Sequence, residues 1–155
     1  MSAAGPLLLA GGGHSHALIL KRWAMDPTRR PARPVVLINR GSTALYSGMV
    51  PALIAGIDPP EAAAIDLRSL CDRAGVAFVK AEITGVDPIQ RCLALAERPP
   101  LRFGVLSLNV GAISRPTAEG MAIKPLEPAL ALIASEAPHS TVPFTVVASG
   151  AAALG

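Results

Sequence analysis

Gly11-Gly12-Gly13-His14-Ser15-His16 is the stretch whose residue types and spacing could do chemistry most directly. It supplies the first two glycines of G-x-G-x-x-G, the turn that binds dinucleotides where a strand gives way to a helix. Gly11 allows a tight turn. Gly13 lets the backbone approach a pyrophosphate, which would sit on the amides of the helix that follows, near His14 and Ser15. His16 stands where the third glycine is usual, a departure that widens or tips the packing of helix on strand. A tight βα turn without a ligand is the plain alternative. His14 and His16 also invite a metal, but no Cys, Asp or Glu lies nearby and their spacing need not aim both rings at one ion. No metal site is assigned.

The second point of chemistry is the end of the next strand. Ribose recognition ordinarily uses an acidic residue there. This chain has Asn39 followed by Arg40. Asn39 can bond a ribose hydroxyl without charge. Arg40 could meet a 2′-phosphate, which would point to NADP, or the adenine side of FAD, or only water.

The elements that must position these residues are readable around them. Leu7 to Ala10 is a short apolar strand, Ser15 to Met25 fits a helix with Ala17, Leu18 and Trp23 on its apolar face, and Val35 to Ile38 is a second buried strand. Together they form a βαβ unit. Pro27 to Pro34 and Asn39 to Ser47 read as loops. Met49 to Ala55 reads as a short helix that tolerates Pro51 in its first turn. Asp66 is a candidate N-cap and Gly75 a candidate stop for a helix over Leu67 to Ala74. Val76 to Val86 reads as one strand, with Arg91 to Ala96 its hairpin partner. Leu101 to Phe103 is a weaker strand, and Val105 to Val110 a strong one. Leu126 to Glu136 is helical in pattern. Thr145 to Ala148 is a last strand, running into a small-residue turn from Ser149 to Gly155, so the chain is expected to stop before the enzyme is complete.

Composition narrows the class. The chain has 155 residues, of which 51% are hydrophobic and 16% charged, which argues for a packed core and against disorder. Aromatics are only 3%, so the core must be aliphatic, as suits parallel strands covered on both faces. The net charge of +3 is scattered, and the denser run Lys21 to Arg33 lacks a nucleic-acid motif, so no nucleic-acid partner is expected. Cys71 and Cys92 are too far apart for a CxxC pair, and both read as small buried hydrophobes of a reduced, cytoplasmic chain. No apolar stretch is long enough to span a membrane. Peripheral membrane contact stays open.

Three stretches together resemble one family: Gly11 to His16, Tyr46-Ser47-Gly48-Met49-Val50-Pro51-Ala52-Leu53-Ile54-Ala55-Gly56, and Val105-Leu106-Ser107-Leu108-Asn109-Val110-Gly111. They are similar to the FAD-dependent pyridine nucleotide–disulfide oxidoreductases, and within them to the NADH dehydrogenase-like flavoproteins, notably those fused to selenide, water dikinase. The resemblance implies an α/β fold: a Rossmann-like FAD-binding domain over 1–123, with a parallel sheet and a small β-hairpin or meander. The start of a second, NAD(P)H-binding domain would follow over 124–155, entered at Lys124-Pro125. It implies FAD as cofactor and NAD(P)H as co-substrate of the full-length enzyme, with a quinone among the acceptors and a fused or downstream selenide, water dikinase domain as a partner.

Gly11, Gly13, His14 and Ser15 would hold the FAD pyrophosphate, Asn39 and Arg40 the adenosine ribose, and the backbone around Ala81 the adenine. Ser47, Gly48, Met49, Asn109 and Gly111 would lie toward the isoalloxazine. Asn109-Val110-Gly111 departs from the family's usual Thr, and Ala148 and Ala153 replace glycines of the second nucleotide turn. By the residues alone, Tyr46 to Gly56 is an ordinary loop and core helix. No catalytic residue is assigned, because the flavin itself carries hydride chemistry. The absence of CxxC argues against the disulfide-reductase branch. An NADP-binding reductase and a non-catalytic remnant are the two rival readings.

Overall fold

The computed structural model describes residues 5–54 and 57–112, with helical positions at 128, 130, 131 and 135. It divides into two compact units, Met1–Ala44 with Ile65–Gly111, and Leu45–Ala64 with Ala112–Gly155. The expected domain boundary at 123/124, the strand Thr145 to Ala148 and the turn that follows it lie outside the described residues, as does most of Leu126 to Glu136.

The first unit is built on four parallel strands. These are β1 (Leu7–Ala10), β2 (Val35–Asn39), β5 (Ala77–Lys80) and β9 (Val105–Leu108), in the spatial order β5-β2-β1-β9. Registers run Leu9 to Leu37 and Leu9 to Ser107, so the strand ends are level at one edge. Because side chains alternate, each strand feeds two cores. Leu9 and Leu37 face one core with the helices α1 (His14–Met25) and α3 (Leu67–Ala74). Leu8, Ala10 and Ile38 face the other, with Leu93 and Leu95 of an antiparallel meander. The meander is β6 (Ile83–Asp87), β7 (Cys92–Leu95) and β8 (Arg98–Arg102). The result is the α/β, Rossmann-like arrangement the sequence predicts.

Helix α3 follows the sequence closely. Leu67, Leu70, Cys71 and Ala74, spaced i, i+3, i+4 and i+7, are its buried residues. The Asp66 carboxylate accepts the Ser69 N–H at 3.0 Å, and Gly75 closes the helix in the left-handed region at φ 64°. Helix α1 differs in its face. Ala17, Leu20 and Trp23 are buried together with His16, while Leu18 is 51% exposed. One position along a helix is a rotation of about 100°, which carries Leu18 from the core to solvent.

Other expectations are corrected. Val76 to Val86 is two strands rather than one: β5 joins the parallel sheet, β6 begins the meander, and Ala81-Glu82 is the crossing between them. Pro99 and Pro100 lie inside β8, an edge strand: successive N–H positions alternate sides, so one proline falls on the open side and the other faces β7 where the register shifts between Leu93 and Leu95. The loop read from Asn39 to Ser47 contains β3 (Thr43–Leu45), which pairs with β4 (Ala64–Asp66), and Pro27–Arg29 is a turn of 3₁₀ helix under an Asp26 side-chain cap.

In the second unit, Ser47–Met49 forms a single 3₁₀ turn, α2 covers Val50–Ile54, and Pro60–Ala63 forms another 3₁₀ turn. The Met49 N–H donates to the Tyr46 carbonyl at 3.0 Å, and a Cβ on Gly48 would strike the Tyr46 ring. No helix among the described residues is long and apolar enough to cross a membrane.

Cys71 is fully buried, whereas Cys92 is only half-buried, with its thiol directed to the Gln90 carbonyl at 3.4 Å. Burial pushes the Cys71 thiol up to about 12, leaving almost no thiolate at neutral pH. Iodoacetamide labelling of the native protein, read by mass spectrometry, is therefore expected to modify Cys92 first and to reach Cys71 only on unfolding. Equal labelling of both in the native state would contradict the packing of α3.

Candidate functional site

The C-terminal ends of β1, β2, β5 and β9 lie along one edge of the parallel sheet, and the residues beyond them are Gly11–Gly13, Asn39–Arg40, Ala81 and Asn109–Gly111. From β1 the chain order runs outward to β2 and β5 on one side and to β9 on the other. The crevice beyond the β1 and β9 ends is thus the switch point at which open α/β sheets bind ligands.

The turn is tightly packed, and at Gly11 only glycine fits. Gly11 has φ 92°, and a Cβ there would run into the Asn109 backbone. A Cβ on Gly12 would collide with the Leu67 side chain, and one on Gly13 with the Asn109 side chain. Each amide is used. Gly11 N–H donates to the Ile38 carbonyl at 2.8 Å, Gly12 N–H to Asn39 Oδ1 at 2.9 Å, and Gly13 N–H to the Asn109 carbonyl at 3.2 Å. The middle glycine, free to vary in the motif, is bounded here by the end of the Leu67 side chain and by Asn39.

Helix α1 then begins with Gly13 as its N-cap, no side-chain cap and no acidic residue in the first turn. Helix geometry leaves the first-turn amides without intrahelical acceptors, at the positive end of the helix dipole. His14 and Ser15 are exposed there. Asn109 lies against Gly13, and its Nδ2 is buried with no hydrogen-bond partner among the described residues. A buried N–H₂ beside an uncapped helix start is a donor set that fits an anion.

Asn39, read as a ribose ligand, also holds the turn: Oδ1 accepts from Gly12, and Nδ2 donates to the Gly41 carbonyl at 2.8 Å. One lone pair and one N–H remain for a ligand. Arg40 and Ala81 come together. Both line a polar cleft of about 510 Å³ with Lys80, Glu82, Ala96, Glu97 and Arg98. Ala81 itself is buried and donates its N–H to the Asn39 carbonyl at 3.0 Å. Gly111 has φ 82° and is exposed. Ser47, Gly48 and Met49 belong to the second unit.

His16, which the sequence offers as a histidine lining the nucleotide site or as polarity capping the helix, is instead packed inside the turn. It is 1% exposed. Its Nδ1 lies 2.7 Å from the Gly11 carbonyl and its Nε2 2.8 Å from Ser107 Oγ. A carbonyl only accepts, so Nδ1 carries the proton, and Nε2 accepts from the Ser107 hydroxyl. Burial pushes the imidazole below its ordinary value, and the Gly11 carbonyl opposes this only in part. Its signal in the sequence was its place at the third small-residue position of the turn. Among the described residues no group of three His, Cys, Asp or Glu is placed to hold a metal.

The sequence matches no protein-family model and no curated protein. The fold does have counterparts among solved structures. It is similar to the sulfide:quinone oxidoreductase of the hyperthermophilic bacterium Aquifex aeolicus, with a TM-score of 0.55 and 17% identity, over 66% of this chain and 23% of that one. It is also similar to the water-forming NADH oxidase of Lactobacillus brevis bound to NADH, with a TM-score of 0.50 and 15% identity, over 76% of this chain and 27% of that one. The chain spans about a quarter of the length of either. At these identities the likeness establishes a Rossmann-like α/β fold that two oxidoreductases share.

The state of His16 sets a pH dependence. Its folded-state pKa is lowered from 6.5, so below that value the unfolded chain binds a proton that the folded chain refuses. Stability from this residue is complete above about pH 6.5 and falls as the pH drops through that region toward the lowered value. Urea unfolding at about pH 7.5 and about pH 5.5 is expected to show the loss, and His16→Gln to reduce it while costing about 1–3 kcal/mol at the higher pH. An unchanged pH slope in the variant would show that His16 is not the group responsible.

Proposed function

We propose that this chain is the FAD-binding portion of an NAD(P)H-dependent flavoprotein oxidoreductase. The observation that supports it best is the buried, unpaired Nδ2 of Asn109 against Gly13, at a helix start that carries neither a cap nor an acidic residue. A buried donor without a partner is costly unless a ligand supplies the acceptor.

The residues fit a dinucleotide along the sheet edge. The first-turn amides of α1 and the Asn109 side chain would hold the pyrophosphate oxygens. The remaining N–H and lone pair of Asn39 would orient the ribose hydroxyls, and Arg40 with the backbone at Ala81 would border the adenine. The buried glycine turn and Leu67 would keep water from the inner side of the phosphates. FAD held by these residues would supply the hydride chemistry, with NAD(P)H as donor and a quinone among the acceptors. The acceptor and a fused selenide, water dikinase domain are proposed on the family resemblance alone.

A second reading rests on the cleft that Arg40 shares with Lys80 and Arg98. Its three cations outnumber the two carboxylates, Glu82 and Glu97, and an NADP-binding reductase would use that excess for a 2′-phosphate.

The readings separate in an equilibrium titration of the full chain with FAD, NADP and NAD, followed by fluorescence. FAD is expected to bind saturably and ahead of the others, and Asn109→Ala to weaken it about tenfold or more, the worth of one hydrogen bond to a charged group. Preference for NADP would favour the second reading. A folded chain that binds none of the three would sink the dinucleotide proposal and leave a non-catalytic remnant.

A further inference from the structure

The G-x-G-x-x-G pattern ends on a small residue so that helix and strand can pack closely. Here the position is filled by an imidazole that is almost wholly buried and bonded at both nitrogens. We infer that His16 and Ser107 form a positioning pair: together they fix β9 against the start of α1, so that Asn109 presents its side-chain N–H to the phosphate of the ligand. The inference rests on the dinucleotide reading above.

Among the described residues β9 is an edge strand, hydrogen-bonded only to β1 in its sheet. Its ladder continues to a bond from Asn109 N–H to the Ala10 carbonyl at 2.8 Å. That ladder sets how far β9 runs along the sheet but leaves the tilt of its end free on the open side. The His16 ring supplies the missing restraint from the α1 face. Ser107 pairs in register with Leu9, whose side chain packs into the core that α1 and α3 cover. Asn109 is two residues on, so the pleat sends it to the face that Ser107 occupies. Holding Ser107 therefore holds Asn109 over Gly13.

The chemistry of the pair is directional. Ser107 O–H donates to Nε2, and Nδ1–H donates to the Gly11 carbonyl, so each bond polarises the other. The relay joins the edge strand to the first glycine of the turn by way of the helix. No charged group lies in it: β1 and β9 contribute only apolar residues and Ser107, and the ionisable residues of α1, His14, Lys21 and Arg22, are on its exposed side. The pair thus acts through geometry.

Ser107 is the residue to test, because it is half-buried and its removal spares the turn itself. Full-chain protein would be titrated with FAD for wild type, Ser107→Ala, Ser107→Thr and Gly75→Ala. Gly75 is a helix stop at φ 64° remote from the turn, and its replacement lowers stability without touching the pair. Ser107→Ala is expected to weaken FAD about tenfold, Ser107→Thr to stay within about twofold of wild type because the hydroxyl returns, and Gly75→Ala to leave affinity unchanged. Ser107→Ala binding like wild type, Ser107→Thr binding as weakly as Ser107→Ala, or equal weakening by Gly75→Ala would overturn the pair while leaving the dinucleotide reading in place. A wild-type chain that binds no dinucleotide overturns both. Imidazole ¹⁵N shifts give an arm independent of ligand: His16 is expected as the Nδ1–H tautomer at neutral pH, and an Nε2–H tautomer refutes the pair outright.

Discussion

Three consecutive glycine amides, each with a fixed acceptor, constrain everything around them. Gly11 and Gly12 are buried at the strand ends and Gly13 is half-buried, and a buried N–H left without an acceptor costs on the order of 1–3 kcal/mol. The acceptors come from two directions: the Ile38 carbonyl and the Asn39 side chain from the β2 end, and the Asn109 carbonyl from beyond β9. Both neighbours of β1 must therefore end level with it, which the registers of Leu9 with Leu37 and with Ser107 provide. The same crowding bars a Cβ at Gly11, where it would meet backbone, and at Gly12 and Gly13 a Cβ would have to displace the Leu67 or the Asn109 side chain. Strand lengths, the glycine run and the residues at 39 and 109 are one solution to one problem.

That solution decides where a ligand can be held. The glycine amides are spent on the protein, so an anion must be met by the first turn of α1 and by side chains. The two longer helices differ in this respect. At the start of α3 the Asp66 carboxylate takes the Ser69 N–H, so that helix closes its own N-terminus with a negative charge. At the start of α1 Gly13 offers no side chain, and no acid follows in the first turn. The α1 end is also the one at the strand edge where the sheet order reverses.

Much of this was legible, and the failures have physical causes. α3 was readable to the residue because its apolar spacing, aspartate cap and glycine stop agree. Gly11 and Gly13 were readable because the chemistry of a tight turn requires them. β3 and β4 were not, since three-residue strands carry too little alternation to register as a pattern. The break at Ala81-Glu82 was hidden because Val79-Lys80-Ala81-Glu82-Ile83-Thr84 alternates apolar and polar residues as one continuous strand would. Leu18 misled by type: an exposed leucine is ordinary, and only its place on the helix reveals its direction. In the site, the bonds of His16 and Asn109 join residues about 90 positions apart, which local pattern cannot reach.

The residue at 39 shows how far local geometry, rather than ligand, can dictate identity. An acidic residue is usual at this strand end, and its absence looks at first like a statement about substrate. The bonds give a simpler reason. Gly12 N–H can only donate, so it requires an acceptor, and the Gly41 carbonyl can only accept, so it requires a donor. Asparagine supplies one of each at the needed separation. An aspartate would satisfy Gly12 but turn its second oxygen on the Gly41 carbonyl, setting two acceptors against each other in a part-buried site. The neutral amide is thus fixed by the turn. Its effect on ligand choice is a consequence: with Asn39 uncharged and Arg40 beside it, this edge lacks the repulsion by which a carboxylate excludes a 2′-phosphate. On the proposed dinucleotide reading, selectivity would come from the cleft of Arg40, Lys80 and Arg98 with Glu82 and Glu97, and not from the residue at which the fold ordinarily places it.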